Sequence, residues 1–166
     1  MGNHRWKSFR SVYRETDLWI AVDTESYSET TVNYTSDRIR YYRNILDKYI
    51  RNHPEFRDSL VPVETGKNTH RIIREMSGAA RKAGTGPMSA VAGAIAEFIC
   101  KDLCKESGAS EVIIENGGDI FLKLKNQATI SVYAGNSPLS GKIRLVIKPE
   151  DTPLSVCTSS GTTGHS

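Results

Sequence analysis

The densest set of reactive groups lies in "SVCTSSGTTGHS", residues 155–166, where Cys157, five hydroxyls between Thr158 and Thr163, two glycines and His165 follow one another. A Ser/Thr/Gly run leaving a strand can form a nest of N–H and O–H donors around a phosphate or carboxylate, which makes Thr158, Ser159, Ser160 and Gly161 candidate ligand-binding residues. A thiol beside such donors is favoured as the thiolate, and an imidazole nearby can take or give a proton. Cys157 as nucleophile with His165 as its base is the thiol chemistry this stretch would support. The alternative is a polar loop with a small buried cysteine.

A second candidate is "VIIENGGDIFLK", residues 112–123, in which Glu115, Asn116, Gly117, Gly118 and Asp119 interrupt a strand pattern. Two glycines permit positive φ and a tight reversal, so a hairpin turn explains them. The flanking acids add a question of chemistry, and Gly117, Gly118 and Asp119 are candidates for the border of a ligand pocket. A third is "AGTGPMSAVAG", residues 83–93: Gly84, Thr85 and Gly86 stand directly before a helix, where free N–H groups and the positive end of the helix dipole converge. Gly86 and Met88 are the candidate cofactor contacts there, against a plain reading of helix end, turn and new helix start. The pattern is neither G-x-G-x-x-G nor a Walker motif.

Cys100 and Cys104 are four apart on one helix face and lack further ligands for a soft metal, so buried small apolar residues are the expectation. Arg14, His53 and His70 have no partner visible in the sequence and are taken as surface residues.

These residues must be positioned by elements the pattern itself suggests. Alternation of apolar residues through "FRSVYRETDLWIAVDT" gives a strand, or two joined near Glu15. Ile39, Tyr42, Leu46, Tyr49 and Ile50 recur at helical spacing, with Ser36 as a plausible N-cap and His53-Pro54 as the stop. A connector with an extended piece at 60–63 precedes a helix from about Thr69 to Gly84. One long helix is then expected from Pro87 to a terminating Gly108, with Val91, Ile95, Ile99 and Leu103 as its stripe. Its first half (Ala90, Ala92, Gly93, Ala94, Ala96) has almost no side-chain bulk, so another backbone or a ligand can approach closely. Strands are expected at 111–116, 119–125, 128–134, 142–148 and 154–157. The layout is that of one α+β domain, a largely antiparallel sheet with two or three helices packed on one face.

Composition agrees with such a domain: 166 residues, 38% hydrophobic and 25% charged. The 22 Lys and Arg are interspersed with 19 Asp and Glu, which gives no polycationic footprint for nucleic acid. No apolar run approaches the roughly 20 residues that span a bilayer, and "MGNHRWKSFR" has no signal-peptide core. Trp6 stands where a myristoylation site needs Ser or Thr. A cytoplasmic protein away from membranes is expected. Three cysteines without a paired C-x-x-C motif are expected to be reduced.

Taken together, "ETDLWI", "HPEF", "GPMSAVAGAIAE", "ENGGDIFLK", "YAGNSPLSGKI" and "CTSSGTTGHS" resemble, in order and across nearly the whole chain, an uncharacterised prokaryotic family related to the ApbE flavin transferases. In ApbE enzymes a helix leads to a strand ending in a Gly-Gly-Asp-Ile or Gly-Gly-Asn-Ile turn, matched here by Gly117 to Ile120. A later Thr-Ser-Gly strand end precedes a His-containing loop, which Thr158 to Gly161 and His165 resemble. The GGDEF signature of diguanylate cyclases shares letters with the same turn, but Ile120 replaces its second acid.

The resemblance implies a T-fold-related α+β domain with a cleft for a flavin nucleotide, FAD or FMN. It also implies an ancestry in enzymes that transfer FMN from FAD to a protein threonine with Mg2+. The ApbE magnesium ligands come largely from an Ala-Asp-Ala-like segment beyond the Thr-Ser-Gly loop. Related chains continue past Gly-His-Ser into another strand and helix, so the C-terminal part of the domain is expected to lie beyond Ser166. The His-Ile-Asp-Pro-like sequence of ApbE enzymes is absent, and Cys157 is not part of their pattern.

Three functions follow: a binder of a flavin or other nucleotide-like ligand with transferase ancestry, a thiol enzyme built on Cys157, or a non-catalytic partner protein. In the last, the Gly/Ala helix face would form a homo-oligomeric contact.

Overall fold

The computed structural model describes residues 5–157. Seven strands and four helices follow one another as β1 (Trp6–Tyr13), β2 (Thr16–Asp23), α1 (Glu29–Asn52), α2 (Pro54–Asp58), α3 (Arg71–Ala83), α4 (Val91–Glu106), β3 (Val112–Asn116), β4 (Asp119–Lys123), β5 (Ala128–Ser131), β6 (Arg144–Ile147) and β7 (Leu154–Cys157). Five strands form one antiparallel sheet in the order β1-β2-β3-β4-β7, and β5 and β6 pair as a separate two-stranded ribbon. This is the α+β architecture the patterning predicts.

The pleat decides which side chains meet the helices. Leu18, Ile20 and Val22 on β2 alternate toward one face and are fully buried, as are Val112 and Ile114 on β3. Through the register Ile114↔Phe121 and Ile20↔Phe9, Phe121 and Phe9 join that face. They pack with Ile39 and Leu46 of α1, Ile72, Ile73 and Met76 of α3, and Ile95, Ile99 and Leu103 of α4. Each fully buried Leu or Ile stabilises the fold by roughly 2 kcal/mol relative to exposure. On the opposite face Trp6, Ile113, Ile120, Leu122, Leu154 and Val156 form a second, smaller cluster with Ala128, Ile130 and Ile147 of the β5–β6 ribbon.

Helix boundaries follow their caps. α1 begins two turns before the Ser36 expected from periodicity. Ser28 is its cap, accepting from the Thr31 N–H at 3.1 Å. Thr31 and Thr35 are buried on the core side of α1, which the apolar pattern did not register. His53 ends α1 and Pro54 opens α2 at once, a short helix absent from the sequence reading. Gly84, at φ 72°, ends α3 as expected. The single long helix expected from Pro87 is instead a 3-10 turn, Pro87–Ala90, followed by α4. Arg38, Tyr42 and Asp102 tie α1 to α4: Asp102 Oδ2 accepts from Arg38 Nε at 2.6 Å and from the Tyr42 hydroxyl at 2.7 Å.

No single helix among the described residues is long and apolar enough to cross a membrane.

Candidate functional site

The β3–β4 hairpin turns on two residues. Gly117 (φ 62°) and Gly118 (φ 100°) both occupy the positive-φ region, and Asn116 pairs with Asp119 across the turn. Both glycines are therefore required by the two-residue turn itself. Glu115 braces it: its Oε1 accepts from the Gly118 N–H at 2.7 Å.

Asn116 and Asp119 share the helix-facing side of the sheet and meet the bare start of α4. Asn116, buried, donates from Nδ2 to the Ala92 carbonyl at 3.0 Å. The Asp119 carboxylate lies against Gly93, where an added Cβ would stand 3.6 Å from Oδ2. Burial pushes the Asp119 carboxyl above its ordinary value. The Gly93 N–H opposes that shift, and the neighbouring Glu115 carboxylate adds to it.

Cys157 is the register partner of Asp119 across β4 and β7, so β7 ends beside the Gly117–Gly118 turn. Cys157 is a free, exposed thiol. Thr158, Ser159, Ser160, Gly161 and His165 lie outside the described residues.

The glycine-rich stretch before α4 serves packing. Gly86 is buried, and a Cβ there would fall 1.7 Å from the Ser59 carbonyl oxygen, so the chain leaving α2 crosses directly over it. The hydroxyls of Thr85 and Ser89 bond each other at 2.8 Å, and Ser89 also donates to the Gly86 carbonyl at 2.8 Å. The expected anion seat at this helix start thus has its local hydroxyls engaged, and its first turn is 3-10.

Met88 does reach a concavity. A cleft of about 540 Å³ opens between the end of α1, α2, the start of α4 and the edge of the sheet around Asn116. Its apolar wall is Leu46, Ile50, Met88, Val91, Ala92 and Ile95, and its charged wall is Glu15, Arg43, Asp47, Arg51 and Arg57.

The arginines are what sequence reasoning missed. The Arg43 side chain is only 12% exposed, and it is held by Glu15, itself 76% exposed. Its Nε is buried without a hydrogen-bond partner among the described residues. Asp47 is held by Arg14, which occupies the β1–β2 turn at φ 53°. Arg57 pairs with the adjacent Asp58 at 2.7 Å, and Arg51 has no ion pair among the described residues. Arg43, Asp47 and Arg51 recur at i, i+4 and i+8 on α1, a spacing that was visible but reads as an ordinary solvated face.

Under the other end of α4, a groove of about 370 Å³ is lined by Cys100, Lys101, Cys104, Lys105, Phe121, Lys123 and Pro153. The two thiols interact: the buried Cys100, more than Lys123, holds the Cys104 thiol below its ordinary value, while that of Cys100 is raised. His70, expected at the surface, caps α3 through Nδ1, which accepts from Ile72 N at 3.3 Å. Its ring packs edge-on against Tyr41 and Tyr42, and burial, then Arg38 and Arg74, lower its pKa. His53, also read as a surface residue, is exposed and stacks on Tyr49 at 4.4 Å.

Among the described residues no three His, Cys, Asp or Glu side chains converge as a metal-ligating group.

Residues 1–166 match the family model described as AbpE bacteria. A UPF0280 protein of Methanospirillum hungatei is 43% identical over 153 residues, covering 92% of this chain and 60% of its own length. One of Methanococcus aeolicus is 39% identical over 154 residues, covering 92% and 60%. One of Methanocaldococcus jannaschii is 38% identical over 163 residues, covering 97% and 64%. The chain therefore spans about three fifths of the length of these relatives. With a full-length match to the family model and relatives near 40% identity, this chain belongs to the AbpE bacteria family, and its relatives are UPF0280 proteins.

Proposed function

We propose that the protein binds a flavin or another phosphate-bearing nucleotide in the cleft between α1 and the start of α4. The carrying observation is that Met88, Ala92 and Asn116 line one concavity of about 540 Å³, within the range of small-molecule sites. Ala92 offers backbone with little bulk, so a planar ring can lie close to the helix, and apolar Leu46, Ile50 and Ile95 suit its faces. Asn116 is fixed at the border by its bond to Ala92. The likeness of Gly117–Ile120 to the ApbE turn supports a flavin over other nucleotides, and extends the reading to FMN transfer from FAD, with release of AMP, as the ancestral chemistry.

Titration of the folded protein with FAD, FMN and riboflavin, with and without Mg2+, tests the reading through flavin fluorescence. Micromolar binding that Ala92→Phe abolishes is expected. Absence of binding for all three overturns it.

A further inference from the structure

Resting on the ligand reading above, we infer that the anionic part of the ligand seats at the arginine end of the cleft, against Arg43, Arg51 and Arg57, and not at the Gly117–Asp119 turn. The ligand class is one carrying a phosphate or diphosphate on an apolar body.

The two ends of the region differ in charge. At the turn stand the carboxylates Glu115 and Asp119, and the pocket beside it adds Glu15, Asp17 and a single cation, Arg10, which is already held by Asp17. The Gly118 N–H that could have met an anion is already given to Glu115, and Gly93 faces the Asp119 carboxylate. A phosphate there would face like charges and a spent donor.

At the cleft the inventory is reversed. Of the lining acids, Asp47 is engaged by Arg14 and Glu15 by Arg43. Donors remain after those pairs are made: the buried Nε of Arg43 and the whole guanidinium of Arg51. Arg57 holds its partner only through an exposed contact with its sequence neighbour, which water and a competing anion can displace. A buried guanidinium N–H without an acceptor is a costly arrangement, and an incoming phosphate oxygen would satisfy it. Guanidinium forks match phosphate geometry bidentately.

The apolar wall begins immediately beside these groups, at Leu46 and Ile50, each one position before Asp47 and Arg51 on α1, and runs to Ala92. A ligand held by its phosphate at α1 and α2 would therefore direct its ring toward the bare start of α4 and Asn116. This orientation separates the charged and apolar halves of one molecule along one groove.

The test uses Arg51→Gln/Arg57→Gln, both exposed residues, with thermal unfolding as the check on folding, and Arg43→Lys as a second variant that keeps the charge and removes the fork. Affinities are measured for inorganic pyrophosphate, FMN and riboflavin. The expected result is a loss of about tenfold or more for pyrophosphate and FMN in the double variant, with riboflavin unchanged and the wild-type pyrophosphate affinity falling steeply with salt. If FMN binds the wild type and the double variant equally, the arginine seat is overturned while the flavin reading stands. If pyrophosphate binds through the arginines but no flavin binds, the flavin reading falls and the seat stands. If pyrophosphate does not bind the wild type at all, the seat is overturned.

Discussion

Asp119 on β4 lies against Gly93 of α4, where a Cβ would come to 3.6 Å of its Oδ2. This contact joins the hairpin to the low-bulk start of the helix and defines how much room remains between them. That separation is ordinary van der Waals contact, so Gly93→Ala should fold and, by removing a helical glycine, gain about 0.5–1 kcal/mol. Because a methyl at residue 93 would face Asp119 and the residue does not line the cleft, flavin binding should be unchanged in the same variant. Chemical denaturation and flavin titration of the one variant should thus respond independently. A stability loss would show that the contact has no slack.

Asp119 also sets a pH dependence. Its carboxyl is held above the ordinary carboxylate value, chiefly by burial. In the window between the unfolded value and the raised folded value the native state binds more protons than the unfolded chain, so this residue's contribution to stability falls as pH rises through that window. Asp119→Asn removes the effect. The stability of the variant relative to wild type should increase from acid toward neutral pH and then level off, as read from urea unfolding across that range.

Glu111 has the opposite sign. It is buried, paired with Arg5 through Nε at 2.6 Å, and accepts the N–H groups of Lys125 at 2.7 Å and Asn126 at 2.9 Å. Burial alone would raise its carboxyl, but Arg5 and the two backbone donors outweigh it and hold the group below its ordinary value. Its stabilisation is present above the unfolded carboxylate value and lost as pH falls through the folded one. Glu111→Gln should cost about 2–4 kcal/mol at neutral pH, and the gap to wild type should narrow on acidification.

Gly86→Ala should be among the most damaging single-methyl changes available. Its Cβ would meet the Ser59 backbone at 1.7 Å, and backbone on both sides must move. A loss on the order of 3 kcal/mol or more is expected, measured by thermal or denaturant unfolding. A near-neutral result would mean that the segment after α2 shifts freely.

Cys104, half-buried, should alkylate with a pH midpoint below that of an ordinary thiol, chiefly because of the neighbouring Cys100 thiol. Cys100→Ala should move that midpoint upward. Iodoacetamide labelling followed by peptide mass spectrometry distinguishes Cys104 from Cys157, and a midpoint that does not respond to Cys100 removes that thiol as its cause.

Local chemistry made much of the fold legible. Pro54, Gly84 and Gly108 mark chain punctuation because their backbone preferences act over one or two residues, and the alternation in β2 and β3 fixes a buried face. The start of α1 was not legible: Thr31 and Thr35 are buried as polar residues whose hydroxyls donate to backbone carbonyls, Ser26 at 2.8 Å and Thr31 at 2.8 Å. Apolar periodicity does not see such residues. The break between the 3-10 turn and α4 was equally hidden.

Of the candidate site, the residue types of the glycine turn and the low-bulk helix start were determined by the sequence alone, since positive φ and close backbone approach admit few alternatives to glycine and alanine. Which of them meet was decided only by tertiary structure. Antiparallel register sets Asp119 beside Cys157, and α4 crosses the sheet so that Gly93 lies on Asp119. The packing of α1 and α2 around the start of α4 gathers Arg43, Arg51 and Arg57, separated by up to fourteen positions, into one cleft. No local rule could have revealed that convergence, because charged residues on a helix surface look alike until another element closes over them.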